Sequence, residues 1–312
     1  MSVAVGRIAE ISGLTPSDNV ASFSKPALPA DQIVYRLWSN GLVISDQAQA
    51  VSAIKSIGYY RLLIYMRHFQ GANKKFYAGT KFSEILDLYN FDRNLRLVLL
   101  DAIEKLEVAL RAAISNEMSI AHGPHWYMHR VMFTDFSYFI KTQSKIISEV
   151  GSEQKTRWIA LSHYYATYND PSLPPSWVVF ERLTFGTLSR IFEALTTSNR
   201  KMIAKALGFD EQILTSWLHS LTYIRNTCAH HGQIWNVRLP KFIPKALKRF
   251  KSEFLIDNEL YTRMLVMWLL LKNVEHKSDF RDHLNDLFSK YPNCSPAKLG
   301  FPTGWMANAA WQ

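Results

Sequence analysis

The feature that most constrains the fold is a periodic segment from Phe82 to Ala121. Leu95, Val98, Leu99, Ala102, Leu106, Ala109, Leu110 and Ala113 recur there at three- and four-residue intervals. Arg96, Asp101, Glu104, Lys105, Glu107 and Arg111 fill the other positions. That spacing puts apolar side chains on one helical face and charges on the rest. It predicts an amphipathic helix of unusual length, with breaks near Asn90 and at Gly123-Pro124.

The remaining pattern is helical too. DQIVYRLWSNG opens on an N-cap candidate, Asp31, and closes on Gly41. QAQAVSAIKSI follows Ser45 and Asp46 and stops at Gly58; YYRLLIYMRHF comes next. Phe136–Val150 and Thr156–Tyr168 read as helices before the breaker NDPSLPPS. After it, SWVVFERLTFG, TLSRIFEAL and NRKMIAKALG read as helices with Gly186 and Gly208 as stops. Asp210 caps the next helix, and Tyr261–Asn273 and Asp279–Lys290 complete the set. Strict two-residue alternation, GxGxxG, a Walker loop and short repeats are all missing from the sequence. The reading is all-α: a loose arm over 1–30, a helical extension over 31–80, a helical bundle over 81–290 and a docked or frayed tail over 291–312.

Composition narrows the function classes. Hydrophobic residues make up 48% of the 312 and charged residues 20%, so a packed core is expected rather than a disordered chain. Two cysteines support neither a disulfide framework nor a Cys-rich zinc site, and they fit a reducing cytoplasm. No metal or cofactor is expected. Met1–Ser12 lacks the apolar core of a signal peptide. The longest apolar run, Met264–Leu271, is bracketed by Arg263 and Lys272 and falls far short of the roughly 18 residues of a membrane span, so it predicts a buried helix. The formal charge of +10 points to a polyanion, namely RNA, DNA or an anionic membrane, with solubility as the plainer explanation.

Chemistry concentrates in LTSWLHSLTYIRNTCAHHG, Leu214–Gly232. On a helix, Leu214, Trp217, Leu218, Leu221, Ile224 and Cys228 share a buried stripe. His219, Thr222, Asn226 and His230 fall opposite, with Arg225 on the flank. A metal shared by Cys228 and the histidines fails on this geometry, and so does a Cys–His nucleophile pair. Metal-free RNA cleavage needs only a group titrating near neutrality and a cation for the phosphorane, because RNA brings its own 2′-OH. The histidines and Arg225 supply these, and Asn226 can orient either. His230 is preferred over His231 on its angle, with His231 in reserve should Gly232 end the helix. A solvated helix end with no catalytic role is the alternative.

IRNTCAHHGQIWN (Ile224–Asn236) resembles the signature of bacterial abortive-infection proteins of the Abi D/F type, within the HEPN superfamily. HEPN ribonucleases carry Arg-x4–6-His, and Arg225 with His230 or His231 matches it. IKSIGYYRLLIYMRHF (Ile54–Phe69), FDRNLRLVLLDAIEKLEVALRAAI (Phe91–Ile114) and SWVVFERLTFGTLSRIFEAL (Ser176–Leu195) extend the resemblance over roughly residues 25–290. It implies a HEPN-type bundle, a homodimer with a composite site and an RNA-directed antiphage or toxin role. A small structured RNA can restrain such a toxin. It also places Glu181 near the motif, either orienting Arg225 or a histidine or serving as a local ion pair.

Two basic segments complete the candidates. Arg238, Lys241, Lys245, Lys248, Arg249 and Lys251 follow the motif with no acidic residue between Asn236 and Lys251. They suit an RNA backbone, or else form a solvated basic helix face. Arg61 and Arg67, among tyrosines, form the second. The leading expectation is a metal-independent endoribonuclease. The alternatives are a non-catalytic RNA-binding scaffold and a helical protein-interaction module.

Overall fold

The computed structural model describes residue 24, residues 26–254 and residues 260–312. Most of the expected arm over 1–30 lies outside the described residues. The fold is all-α: among the described residues, pairing between extended segments is limited to isolated bridges such as Phe133–Leu195. The chain divides into two compact units, one ending at Glu84 and one beginning at Ile85.

The first unit holds α1 (Ala30–Ser39), α2 (Gln47–Ile57) and α3 (Tyr59–Met66). Asp46 caps α2 by accepting from the Gln49 amide at 2.8 Å. Gly58, at φ +92°, joins α2 to α3 with a single residue, a conformation that costs glycine nothing. Asp31 sits in the first turn of α1 rather than at its cap, because Pro29 holds the N-cap position.

The long helix α4 (Phe82–His122) passes through Asn90 without a break. An asparagine costs a helix up to about 0.7 kcal/mol, whereas burying its neighbours Leu88 and Phe91 stabilises by about 1.5–3 kcal/mol each. Leu95, Leu99, Leu106, Leu110, Ile114 and Met118 continue the buried stripe to the end, which falls before Gly123 as expected.

In the second unit follow α5 (Phe136–Val150), α6 (Ile159–Thr167), α7 (Ser176–Val179), α8 (Phe185–Ala194), α9 (Thr197–Ala206), α10 (Glu211–Ala229), α11 (Leu260–Val274) and α12 (Phe280–Lys290). SWVVFERLTFG does not form one helix: α7 passes into a 3-10 turn at Phe180–Arg182, and α8 starts at Phe185. Thr184 caps the new helix by accepting from the Thr187 amide, and the Arg111 guanidinium braces the break by donating to the carbonyls of Phe180 (2.8 Å) and Leu183 (3.2 Å). Gly186 therefore lies in the first turn of α8 and stops nothing.

α10 packs against α8, α9 and α11, and α5 packs on α8. Every residue of α11 from Leu260 to Leu271 is buried, so the apolar run is core. No helix among the described residues is long and apolar enough to cross a membrane. The tail is docked: Trp311 is fully buried, stacks on Trp268 at 6.2 Å and donates its indole N–H to the Tyr261 hydroxyl.

Candidate functional site

Asp210 caps α10 by accepting from the Gln212 amide at 2.8 Å. Leu214, Trp217, Leu218, Leu221, Ile224 and Cys228 are all buried, as the angular reading requires. The far end departs from a simple glycine stop. His230 is the C-cap and donates its amide to the Asn226 carbonyl. His231 turns left-handed at φ +57° and donates to Cys228, and Gly232 donates to Thr227 at 2.8 Å. This pair of reversed bonds is a Schellman motif, with a histidine where glycine is usual. A left-handed non-glycine residue costs roughly 1–2 kcal/mol. A Cβ on Gly232 would meet Thr227 Cγ2 at 2.9 Å, so glycine is required one position later for space.

The segment leaving the motif is pinned from below. Asp92 and Arg96 form a buried ion pair on α4. Asp92 accepts the amides of Ile234 (3.1 Å) and Trp235 (2.7 Å), and Arg96 donates to the Gly232 carbonyl (3.1 Å). Farther along, buried Arg263 donates to the carbonyls of Leu239 and Lys241, and the Trp217 indole donates to Lys245. These bonds fix the loop's path after the motif.

Arg225 is half-buried and Asn226 exposed, with the guanidinium 3.4 Å from the Asn226 side-chain oxygen. Both line a cleft of about 630 Å³ between α5, α8 and the last turns of α10. Tyr138, Lys141 and Lys145 of α5 form the opposite wall, with Thr187 and Arg190 of α8 on the floor. Lys145 pairs with Glu149 at 2.7 Å and Arg190 with Glu193 at 2.8 Å. His230 and His231 are exposed and are not among the lining residues.

The Abi-like protein family model matches residues 52–236, from within α2 to just past the motif. That is well over half of the chain. This is an Abi-like protein. No curated protein and no solved structure matches it.

The Abi-like chain distributes the other candidates widely. His219 does not share the cleft of Asn226. It faces a second cavity of about 450 Å³, lies 3.3 Å from Glu193 and packs edge-on to Phe242. Burial pushes its imidazole below the usual value; Glu193 opposes this and Arg190 adds to it. The Thr222 hydroxyl is spent on the Leu218 carbonyl. Glu181 is exposed and pairs with Arg111 at 3.7 Å, the local ion pair rather than an orienting contact to Arg225 or a histidine. Burial raises the Cys228 thiol to about 12, which suits a packing role.

Arg238, Lys241, Lys245, Lys248, Arg249 and Lys251 are all exposed, but not as a helix face. Residues 233–247 are irregular and a 3-10 turn spans Lys248–Phe254, where the Arg249 guanidinium lies over the Phe250 ring. Arg67 is exposed and Arg61 half-buried, both in the first unit. Asp101, Asp279 and His283 bring possible ligand atoms within 4.8 Å of one another. Lys105 reaches both carboxylates there (3.3 and 3.1 Å) and offsets part of their charge.

Tyr138, Lys141, Lys145 and Arg190 are cleft residues that the sequence motifs do not pick out. Their signal is the i, i+3, i+7 spacing of Tyr138, Lys141 and Lys145 along α5, which makes one exposed row.

Proposed function

We propose that this abortive-infection protein is a metal-independent endoribonuclease of HEPN type. It acts in the cytoplasm, with two copies of the motif facing each other in a homodimer. The observation that carries this reading is the placement of Arg225 and Asn226 in a cleft with Lys141, Lys145 and Arg190. A cation-lined cleft formed by the residues just before the histidine pair in sequence suits a phosphodiester.

In this mechanism His230 accepts the proton of a ribose 2′-OH, and that oxygen attacks the adjacent phosphorus. Arg225 balances the charge of the phosphorane, and Asn226 orients Arg225 or the phosphate. The bond to the 5′-oxygen breaks, and that oxygen leaves with a proton from the imidazole of the facing motif. The products carry a 2′,3′-cyclic phosphate and a 5′-hydroxyl. His231 is the reserve acid/base. Arg238, Lys241, Lys245, Lys248, Arg249 and Lys251 extend the contact to the RNA backbone, and Arg61 and Arg67 offer phosphate contacts on the first unit. A small structured RNA fits as the restraining partner of such a toxin.

One observation favours a second reading. No imidazole or carboxylate is among the cleft's lining residues, so a single chain offers phosphate contacts without an acid/base. A non-catalytic RNA-binding scaffold would use it so. End analysis of RNA incubated with the protein in chelator separates the two. Cyclic-phosphate ends and a dimeric sedimentation coefficient are expected for the nuclease. Linear 5′-phosphate ends contradict the mechanism, and intact RNA with retained binding supports the scaffold.

A further inference from the structure

The cleft beside the motif has a composition of its own. Lys141 and Lys145 stand one turn apart on α5, and Arg190 and Arg225 approach from α8 and α10. Only two acidic side chains pair with this set among the described residues, Glu149 with Lys145 and Glu193 with Arg190. Lys141 and Arg225 have no carboxylate partner among those residues, so the cleft keeps a net positive charge. Tyr138 adds an exposed ring to the same wall, with the Lys141 ammonium 5.9 Å from its centre.

Cations in a groove beside an accessible aromatic ring are the features that hold single-stranded nucleic acid. The cations follow the backbone and the ring takes the face of an unpaired base. Duplex RNA instead presents its bases stacked inside, recognised by shape across a shallow groove, and offers Tyr138 nothing to stack on. We propose that the Lys141–Lys145–Arg190–Arg225 cleft binds unpaired RNA. Arg225 and Arg190 contact one phosphate, Lys141 and Lys145 the next, and Tyr138 stacks on the intervening base. This rests on the RNA-directed reading above and specifies its substrate as single-stranded at the cut.

The cleft is distinct in sequence and position from the basic loop over 236–251, so the two are separable by charge reversal. The probe is a short fluorescein-labelled 2′-O-methyl oligouridylate, which lacks the attacking hydroxyl. It is compared with its duplex with a matching oligoadenylate by fluorescence anisotropy over a salt series. Lys141→Glu/Lys145→Glu is expected to weaken single-strand binding about tenfold or more and to lower the salt slope by about 0.7 for each phosphate that is no longer neutralised. Tyr138→Ala is expected to cost about fivefold or more. Both lysines are exposed, and Lys141→Gln/Lys145→Gln repeats the test without reversing charge. Unchanged affinity in both lysine pairs, with wild type binding the single strand, overturns the cleft assignment and leaves the RNA reading standing. Equal or tighter binding of the duplex overturns the single-strand assignment. A wild type that binds neither probe overturns both the cleft and the reading beneath it.

Discussion

Asp92 and Arg96 pair one turn apart on the buried face of α4, and together they hold three backbone groups of the loop that leaves the motif. The long helix thus sets where α10 must end. Asp92→Ala strips two amides of their acceptor and leaves the Arg96 charge buried without its counter-ion. We expect a loss of about 3–5 kcal/mol in urea unfolding, and a loss below about 1 kcal/mol contradicts the assignment.

His231 carries strain that glycine would not. His231→Gly should stabilise the fold by about 1 kcal/mol, seen as a higher urea midpoint with an unchanged slope. Because His230 is the proposed acid/base, this variant should retain RNA cleavage. A stable His231→Gly protein without cleavage would transfer the role to His231.

His219 predicts a pH effect whose sign is fixed by its surroundings. Burial holds its folded value below 6.5, with Glu193 opposing and Arg190 adding. Below that value the unfolded chain binds the proton more readily than the folded one. The stability from neutral His219 is therefore complete above 6.5 and is lost as pH falls toward the folded value. Between about pH 7.5 and about pH 5.5, wild type should lose more stability than His219→Gln. Equal losses would show that His219 does not titrate as its burial requires.

Both thiols should be inert in the fold. Burial raises Cys228 and Cys294 to about 12, so neither provides thiolate at mildly alkaline pH. Neither should react with an alkylating reagent in the native protein, and both should react in denaturant. Rapid native labelling of Cys228 would reopen the nucleophile that geometry excludes.

The sequence is most informative where structure is local. The apolar spacing of α4, the caps at Asp46 and Asp210 and the buried stripe of α10 each depend on residues within a few turns. Asn90 and Gly186 mislead because long-range packing outweighs a weak local preference. Phe91 and Leu88 carry the helix past Asn90, and the break that Arg111 braces falls before Gly186 is reached. The polar stripe of α10 is divided between two cavities. α8 and Phe242 close over His219, while Arg225 and Asn226 open toward α5. That partition, and the pinning of the motif loop by Asp92, join residues far apart in sequence, and no spacing rule reaches across such a gap.

His230 carries the proposed chemistry, and RNA cleavage reads its role without an intermediary. Protein stripped of nucleic acid in high salt is incubated with unstructured RNA and chelator, wild type beside His230→Ala. Chelator-resistant cleavage by wild type is expected, with its loss in a variant that still folds and binds RNA. Cleavage of equal rate in His230→Ala would contradict it.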